Sequence, residues 1–173
     1  MSLGLRLLLL PAAAAATALA GLRPGPAAAS ATGLAGLRPG GPGFAVVPNY
    51  LKPAEVELLK QDVAMLRSEG RFSVAGVGEA GTNRVADEVR RCEQCFLYPR
   101  LKHGGGGHQE ARSQLYATLD SLRCSVTAAS GVELDGLLTE GLFAAYPEGG
   151  YYRRHIDSMP GTPQEIRKFS FLL

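Results

Sequence analysis

Cysteine and histidine are scarce in this 173-residue chain, and acid is missing from its first 54 residues. Three cysteines (Cys92, Cys95 and Cys124) are too few for a disulfide scaffold. A formal net charge of +2 is too small to argue for a nucleic-acid partner. No acidic residue precedes Glu55, and the only charged side chains before Phe44 are Arg6, Arg23 and Arg38. Setting those three charges aside turns +2 into −1, so the basic excess belongs to the N-terminal segment. The apolar stretch MSLGLRLLLLPAAAAATALAG is broken by Pro11 and ends in weakly apolar alanine, so it does not predict a stable membrane span. The pentapeptide G-L-R-P-G occurs at Gly21 and again at Gly36, and two copies do not make a repeat architecture.

The N-terminal segment has a short basic start, an apolar run and A-L-A before Gly21, which is a signal-peptide pattern. An acid-free segment with Arg, Ser and Ala equally suits a plastid or mitochondrial transit peptide. Gly, Pro and Ala at this density bury too little surface to offset chain entropy. Residues 1–43 are therefore expected to be a flexible targeting leader, addressed to the secretory pathway (ER) or to an organelle such as the plastid. Residues 44–173 are expected to form one domain with a modest core.

Within that domain, GFAVVPNYL predicts a short strand running into a turn at Asn49. The next segment, KPAEVELLKQDVAMLRSEG, predicts a helix with Pro53 in its first turn and Gly70 as its stop. Val56, Leu59, Val63 and Leu66 recur at helical spacing and define its apolar face. A strand plus loop is expected for FSVAGVGEAGTN, and a loop for KHGGGGHQ. A second helix is expected from about Gln109 to Ala128, burying Leu115, Leu119, Leu122 and Val126. After Gly131 the pattern changes to short β-prone runs: Leu142–Tyr146, then a PEGG turn, Tyr151–Asp157, and the terminal IRKFSFLL. Helices followed by turn-separated strands indicate the α+β class, with an antiparallel sheet or barrel.

Three motifs invite chemistry. The glycines of GVGEAG (Gly76, Gly78 and Gly81) match G-x-G-x-x-G, but no strongly apolar strand precedes them and no helix follows, so nucleotide binding is not expected. Cys92 and Cys95 form C-x-x-C, open to half a zinc site, a disulfide, or plain packing as free thiols. Arg90 and Arg91 precede them, and a basic setting can lower a thiol pKa. The third motif is His155 with Asp157, an H-x-D pair. On a strand, positions two apart point to the same side, so imidazole and carboxylate can converge on one ion. By spacing alone the pair reads first as a solvated His/Asp pair on an edge strand. One more histidine would make a facial triad suited to Fe(II).

The block YPEGGYYRRHIDS resembles the 2-oxoglutarate- and Fe(II)-dependent dioxygenases of the prolyl 4-hydroxylase type. RKFSFLL looks like the strand that follows this block in the family, and GFAVVPNYLKPAEVELLK like its first strand and helix. These spans touch about a third of the chain. The resemblance implies helices packed on a double-stranded β-helix (jelly-roll) core, here incomplete. It implies Fe(II) bound by His155 and Asp157, 2-oxoglutarate as cosubstrate, L-ascorbate as reductant, and a proline-containing peptide or protein as substrate. Tyr146 and Tyr152 match positions of cosubstrate binding or strand support, and Arg154 matches a position on the same strand. The family's distal histidine and its 2-oxoglutarate-binding basic residue lie on later strands. Nothing follows Leu173, so a truncated dioxygenase is expected, with His103 or His108 the weaker candidates for a third ligand. The alternatives are an inactive fragment or non-enzymatic jelly-roll binding module, and a related iron dioxygenase with a non-proline substrate.

Overall fold

A computed structural model describes residues 2–11, 33–78, 84–98, 101, 105–158 and 160–173. Its elements are β1 (Ser2–Pro11), α1 (Pro53–Ser68), β2 (Ser73–Val74), β3 (Arg90–Arg91), β4 (Glu93–Tyr98), α2 (Gln109–Ser130), β5 (Leu134–Tyr146), β6 (Tyr151–Tyr152) and β7 (Phe169–Leu172), with short 3-10 turns at Ala35–Leu37 and Pro163–Ile166. The strands form an antiparallel five-stranded sheet, ordered β2-β4-β5-β1-β7, and a two-stranded ribbon, β3-β6. The class is α+β.

Both helices form where the spacing predicts. Pro53 opens α1, and the Lys52 amide donates to Glu55 Oε2 at 2.7 Å, satisfying a donor at the helix start. His108 caps α2: its Nδ1 accepts from the Ala111 amide at 3.2 Å. Leu115, Leu119, Leu122 and Val126 are buried as expected. The face of α1 differs by one member. Val56 is 37% exposed, and Asp62, 0% exposed, takes its place in the buried stripe with Leu59, Val63 and Leu66.

Asp62 is tolerated there because it is paired. Its Oδ1 accepts from Arg112 of α2 at 2.8 Å and from the His108 amide at 2.5 Å. Arg112 also donates to the Gly106 carbonyl. Glu69, just past α1, accepts from the Gly107 amide at 3.0 Å. The glycine loop is thus clamped between the two helices. A Cβ at Gly107 would lie 2.3 Å from Asp62 Oδ1, and its φ of +62° is also left-handed, so the clamp requires glycine. His103 and Gly81 lie outside the described residues.

The main core joins Leu59, Val63 and Leu66 of α1 and Ala111, Leu115 and Leu119 of α2 to Cys95, Leu97 and Phe143 of the sheet. A second cluster joins Leu122 and Val126 to Leu34 and Leu134. The expected strand at GFAVVPNYL is not formed. Pro48 lacks an amide to donate, Asn49 turns the chain at φ +54°, and Phe44 and Val46 face solvent at 65% and 75% exposure. Ala45, Val47 and Tyr50 pack instead on the second cluster. Composition predicts a flexible leader over 1–43. Yet Ser2–Pro11 is a strand inside the sheet, and Leu34 is buried.

Burial holds the Asp62 carboxyl above its ordinary pKa of 3.8, and the His108 amide and Arg112 pull it back only part of the way. Asp62→Ala leaves Arg112 buried without its partner, and chemical denaturation is expected to register a loss of about 3–5 kcal/mol. With the folded pKa raised, the carboxyl favours the fold most below the unfolded value and less as pH rises through the folded one. Stability of the wild type relative to Asp62→Asn should therefore fall as pH rises above about 4, the ordinary carboxyl value, read from paired denaturation curves.

Candidate functional site

The turn after β5 aims everything that follows. The Gly150 amide donates to the Pro147 carbonyl at 2.8 Å, and a Cβ on Gly150 would meet Pro147 Cδ at 2.7 Å and the Arg91 carbonyl oxygen at 2.8 Å. Only glycine lets the chain pass this close to β3. Beyond it, β6 pairs with β3, Tyr152 opposite Arg90 and Tyr151 opposite Arg91. The Arg153 amide extends the ribbon by donating to the Val89 carbonyl at 2.9 Å.

The expected strand over Tyr151–Asp157 stops at Tyr152. His155 and Asp157 therefore lie past the ribbon on irregular backbone, and strand alternation does not explain their convergence. They converge all the same: His155 Nε2 is 3.0 Å from Asp157 Oδ1, while Ile156 between them is 75% exposed. Each ligand candidate is held by the protein. His155 Nδ1 lies 2.8 Å from the Arg153 carbonyl. Carbonyl and carboxylate both only accept, so each ring nitrogen faces an acceptor: Nδ1 donates to the Arg153 carbonyl and Nε2 to Asp157 when each carries a proton, and an ion between the pair would need Nε2 bare. Asp157 Oδ2 accepts from Ser170 of β7 at 2.9 Å, and its carbonyl accepts from Arg167 at 3.3 Å. Arg167 in turn donates to Glu140 of β5 at 3.2 Å.

The two tyrosines belong to the same constellation. Tyr152 stacks on His155, with ring centroids 3.7 Å apart and planes 18° apart. The Arg90 guanidinium lies over the other partner of that stack, 4.6 Å from the Tyr152 centroid. Arg90 is only 7% exposed, and its Nε donates to Cys92 Sγ at 3.0 Å. The Tyr146 hydroxyl is hydrogen-bonded to Cys92 and Arg90, and burial, more than these neighbours, raises its pKa. A continuous row results: Tyr146, Cys92, Arg90, Tyr152, His155, Asp157. Arg154 is exposed.

Arg90, Cys92, Arg167 and Ser170 have no place in the sequence-based site. The only signal was Arg-Arg-Cys in EVRRCEQC, legible as a thiol setting but not as a support for residues some 60 positions later. Cys92 and Cys95 are free buried thiols, not a disulfide. Positions three apart on extended chain face opposite ways. Cys95 sits in the main core, where burial raises its pKa, and Cys92 faces Arg90. His108 is committed to capping α2.

The donor set fits a divalent ion in part. Two ligands at right angles, each about 2.1 Å from an ion, lie ~3.0 Å apart, which is the spacing found between Nε2 and Oδ1. A ligating histidine that donates its other N–H to a backbone carbonyl is the usual support of such a site. The same spacing also serves a direct pair between imidazolium and carboxylate. Among the described residues, no three His, Cys, Asp or Glu side chains form a group able to hold a metal, and no helix is long and apolar enough to cross a membrane. No protein-family model, no curated protein and no solved structure matches this chain.

The row makes one local claim that chemistry can check. Arg90→Ala removes both the cover of Cys92 and the cation over Tyr152. In the wild type, iodoacetamide should alkylate exposed Cys124 well before Cys92; in Arg90→Ala the Cys92 rate should rise toward that of Cys124, followed by peptide mass spectrometry.

Proposed function

We propose that this chain carries part of an Fe(II)- and 2-oxoglutarate-dependent dioxygenase of the prolyl 4-hydroxylase type, acting on proline in a peptide or protein. The observation that carries the reading is the His155–Asp157 pair. Nε2 and Oδ1 stand 3.0 Å apart, and Nδ1 lies against the Arg153 carbonyl, where a proton on Nδ1 would leave Nε2 free to ligate an ion. Resemblance of YPEGGYYRRHIDS to that family supplies the rest. In this reading His155 and Asp157 would hold the iron, which with dioxygen and 2-oxoglutarate would supply the oxidising power for C–H hydroxylation, ascorbate serving to keep the iron reduced. The chain's own contribution is positional. Ser170 and Arg167 hold Asp157, the Tyr152 ring holds the imidazole plane, and Tyr146 stands at the far end of the row, where the resemblance assigns cosubstrate binding. A jelly-roll core is supported by the path of the last three strands. They pass from the large sheet (β5) to the ribbon (β6) and back to the large sheet (β7), the alternation a two-sheet roll requires. The leader composition supports an address in the secretory pathway (ER) or an organelle such as the plastid.

A second reading is favoured by the small donor set. In it His155 and Asp157, whose Nε2 and Oδ1 lie 3.0 Å apart, serve as an ion pair in a non-catalytic jelly-roll module, since among the described residues no three His, Cys, Asp or Glu side chains form a metal-holding group.

Anaerobic titration with Fe(II), and with Zn(II) as a redox-inert probe, separates the two. The dioxygenase reading expects weak 1:1 binding that His155→Ala or Asp157→Ala abolishes. The ion-pair reading expects the same trace from wild type and variants. With two protein ligands, the chain alone is expected to form no succinate from 2-oxoglutarate. Iron-dependent succinate formation that His155→Ala removes would show the site to be complete as it stands.

A further inference from the structure

Strand β1 occupies an unusual place for an N-terminal segment. One of its edges pairs with β5 from Ser2 opposite Tyr146 to Pro11 opposite Leu134, and its other edge pairs with β7 from Arg6 opposite Leu172 to Leu9 opposite Phe169. Among the described residues β7 has no other strand partner, and β5 meets β7 only through β1. Because β1 is antiparallel to both, β5 and β7 run parallel to each other. They stand two inter-strand spacings apart, about 9.6 Å. The rest of the fold therefore frames a slot one strand wide, bounded by two backbone edges of matched direction.

Three properties mark what fills it. The decapeptide SLGLRLLLLP has six leucines and one charge, a composition that favours burial between covered strands. It ends at Pro11, where register with β5 has already shifted after Leu8 and again after Leu9, and proline has no amide with which to extend the ladder. Between Pro11 and Gly33 lie 21 residues, mostly Ala, Gly and Pro. Fully extended, a tether of that length spans roughly 70 Å, so it imposes no position on the strand. What places β1 is the pairing itself.

We propose that Ser2–Pro11 is a donor strand, held in cis by a strand-acceptor slot between β5 and β7, and that the slot recognises the same decapeptide in trans. Recognition is by backbone ladders on two edges, the mode of strand addition. Loss of the donor would strand β7 and bare the edge of β5, which is the apolar, pairing-competent surface that drives aggregation. The segment with the composition of a removable leader thus doubles as the piece that closes the sheet.

The experiment uses the full chain with one protease site inserted between residues 12 and 32. After cleavage, the N-terminal fragment is expected to co-elute with the remainder, and amides of 141–146 and 169–172 to keep their protection from hydrogen exchange. A fluorescent SLGLRLLLLP peptide should then exchange into the cut protein, while the same peptide with Leu7→Pro should not. In the uncut chain, L7C/F171C should oxidise to an intramolecular disulfide, since these positions are Cα partners. The proposal is overturned if the cut fragment separates while both segments stay as protected as before. It is equally overturned if L7C/F171C yields only dimers, which would place the donor in a second copy. No readout involves iron, so failure of the dioxygenase reading leaves this test unchanged.

Discussion

Strand β5 is the constraint on which the other elements depend. Its thirteen residues run along the centre of the sheet, with β4 on one edge and β1 on the other. Residues 141–145 are all buried, so both faces are covered. Phe143, 0% exposed, ties the strand to both helices through the main core. Leu134, at the start of the strand, ties it to the second cluster. The end of β5 is Tyr146, the first residue of the row that leads to His155. Moving β5 by one residue would turn Phe143 out of the core and shift the turn at Gly150 away from β3. The geometry of the site is in this sense inherited from the packing of one strand.

The helical layer is aligned differently, by charge. Apolar stripes on two helices tolerate sliding, because one leucine replaces another at little cost. The Asp62–Arg112 pair does not. Its partners are 0% and 3% exposed, so any slip leaves an ion without water and without a counterion. A buried pair of this kind adds little net stability over an apolar pair of the same volume. What it supplies here is register: α1, α2 and the Gly106–Gly107 loop meet at one carboxylate.

How much of this was legible follows from where the determining contacts lie along the chain. The helices were legible because their buried positions repeat locally, as with Leu115, Leu119, Leu122 and Val126. The buried Asp62 was not, because its justification is Arg112, fifty residues on. Strands β3 and β4 were hidden by charge: EVRRCEQC shows no apolar alternation, and Arg90 is buried only because Cys92, Tyr146 and Tyr152 receive it. β1 was hidden by the opposite property, since its leucines and the alanines after it carry the composition of a targeting peptide. Of the candidate pair, His155 and Asp157 were legible through their spacing, but the reason assumed for their convergence was a strand that ends five residues too early, at Tyr152. Ser170 and Arg167 hold Asp157 from beyond a two-proline turn, and no local pattern encodes that contact.

The row from Tyr146 to Asp157 also shows how a His/Asp pair is kept in shape on irregular backbone. A strand would hold imidazole and carboxylate together through its pleat. Past Tyr152 that support is gone, and side-chain contacts replace it. The ring of Tyr152 sets the imidazole plane, and the Arg90 cation over Tyr152 favours the stacked arrangement through its attraction to the ring's negative face. Arg90 is held by Cys92 and Tyr146, both buried or half-buried near the end of β5 and the start of β4. Asp157 is held independently from β7. The pair is therefore braced from two directions, one through β3 and β6 and the other through β7 and the Arg167 link to Glu140 of β5. Strand β7 reaches the large sheet by way of β1, so the spacing between Nε2 and Oδ1 depends on the N-terminal strand as well as on the residues that make the pair.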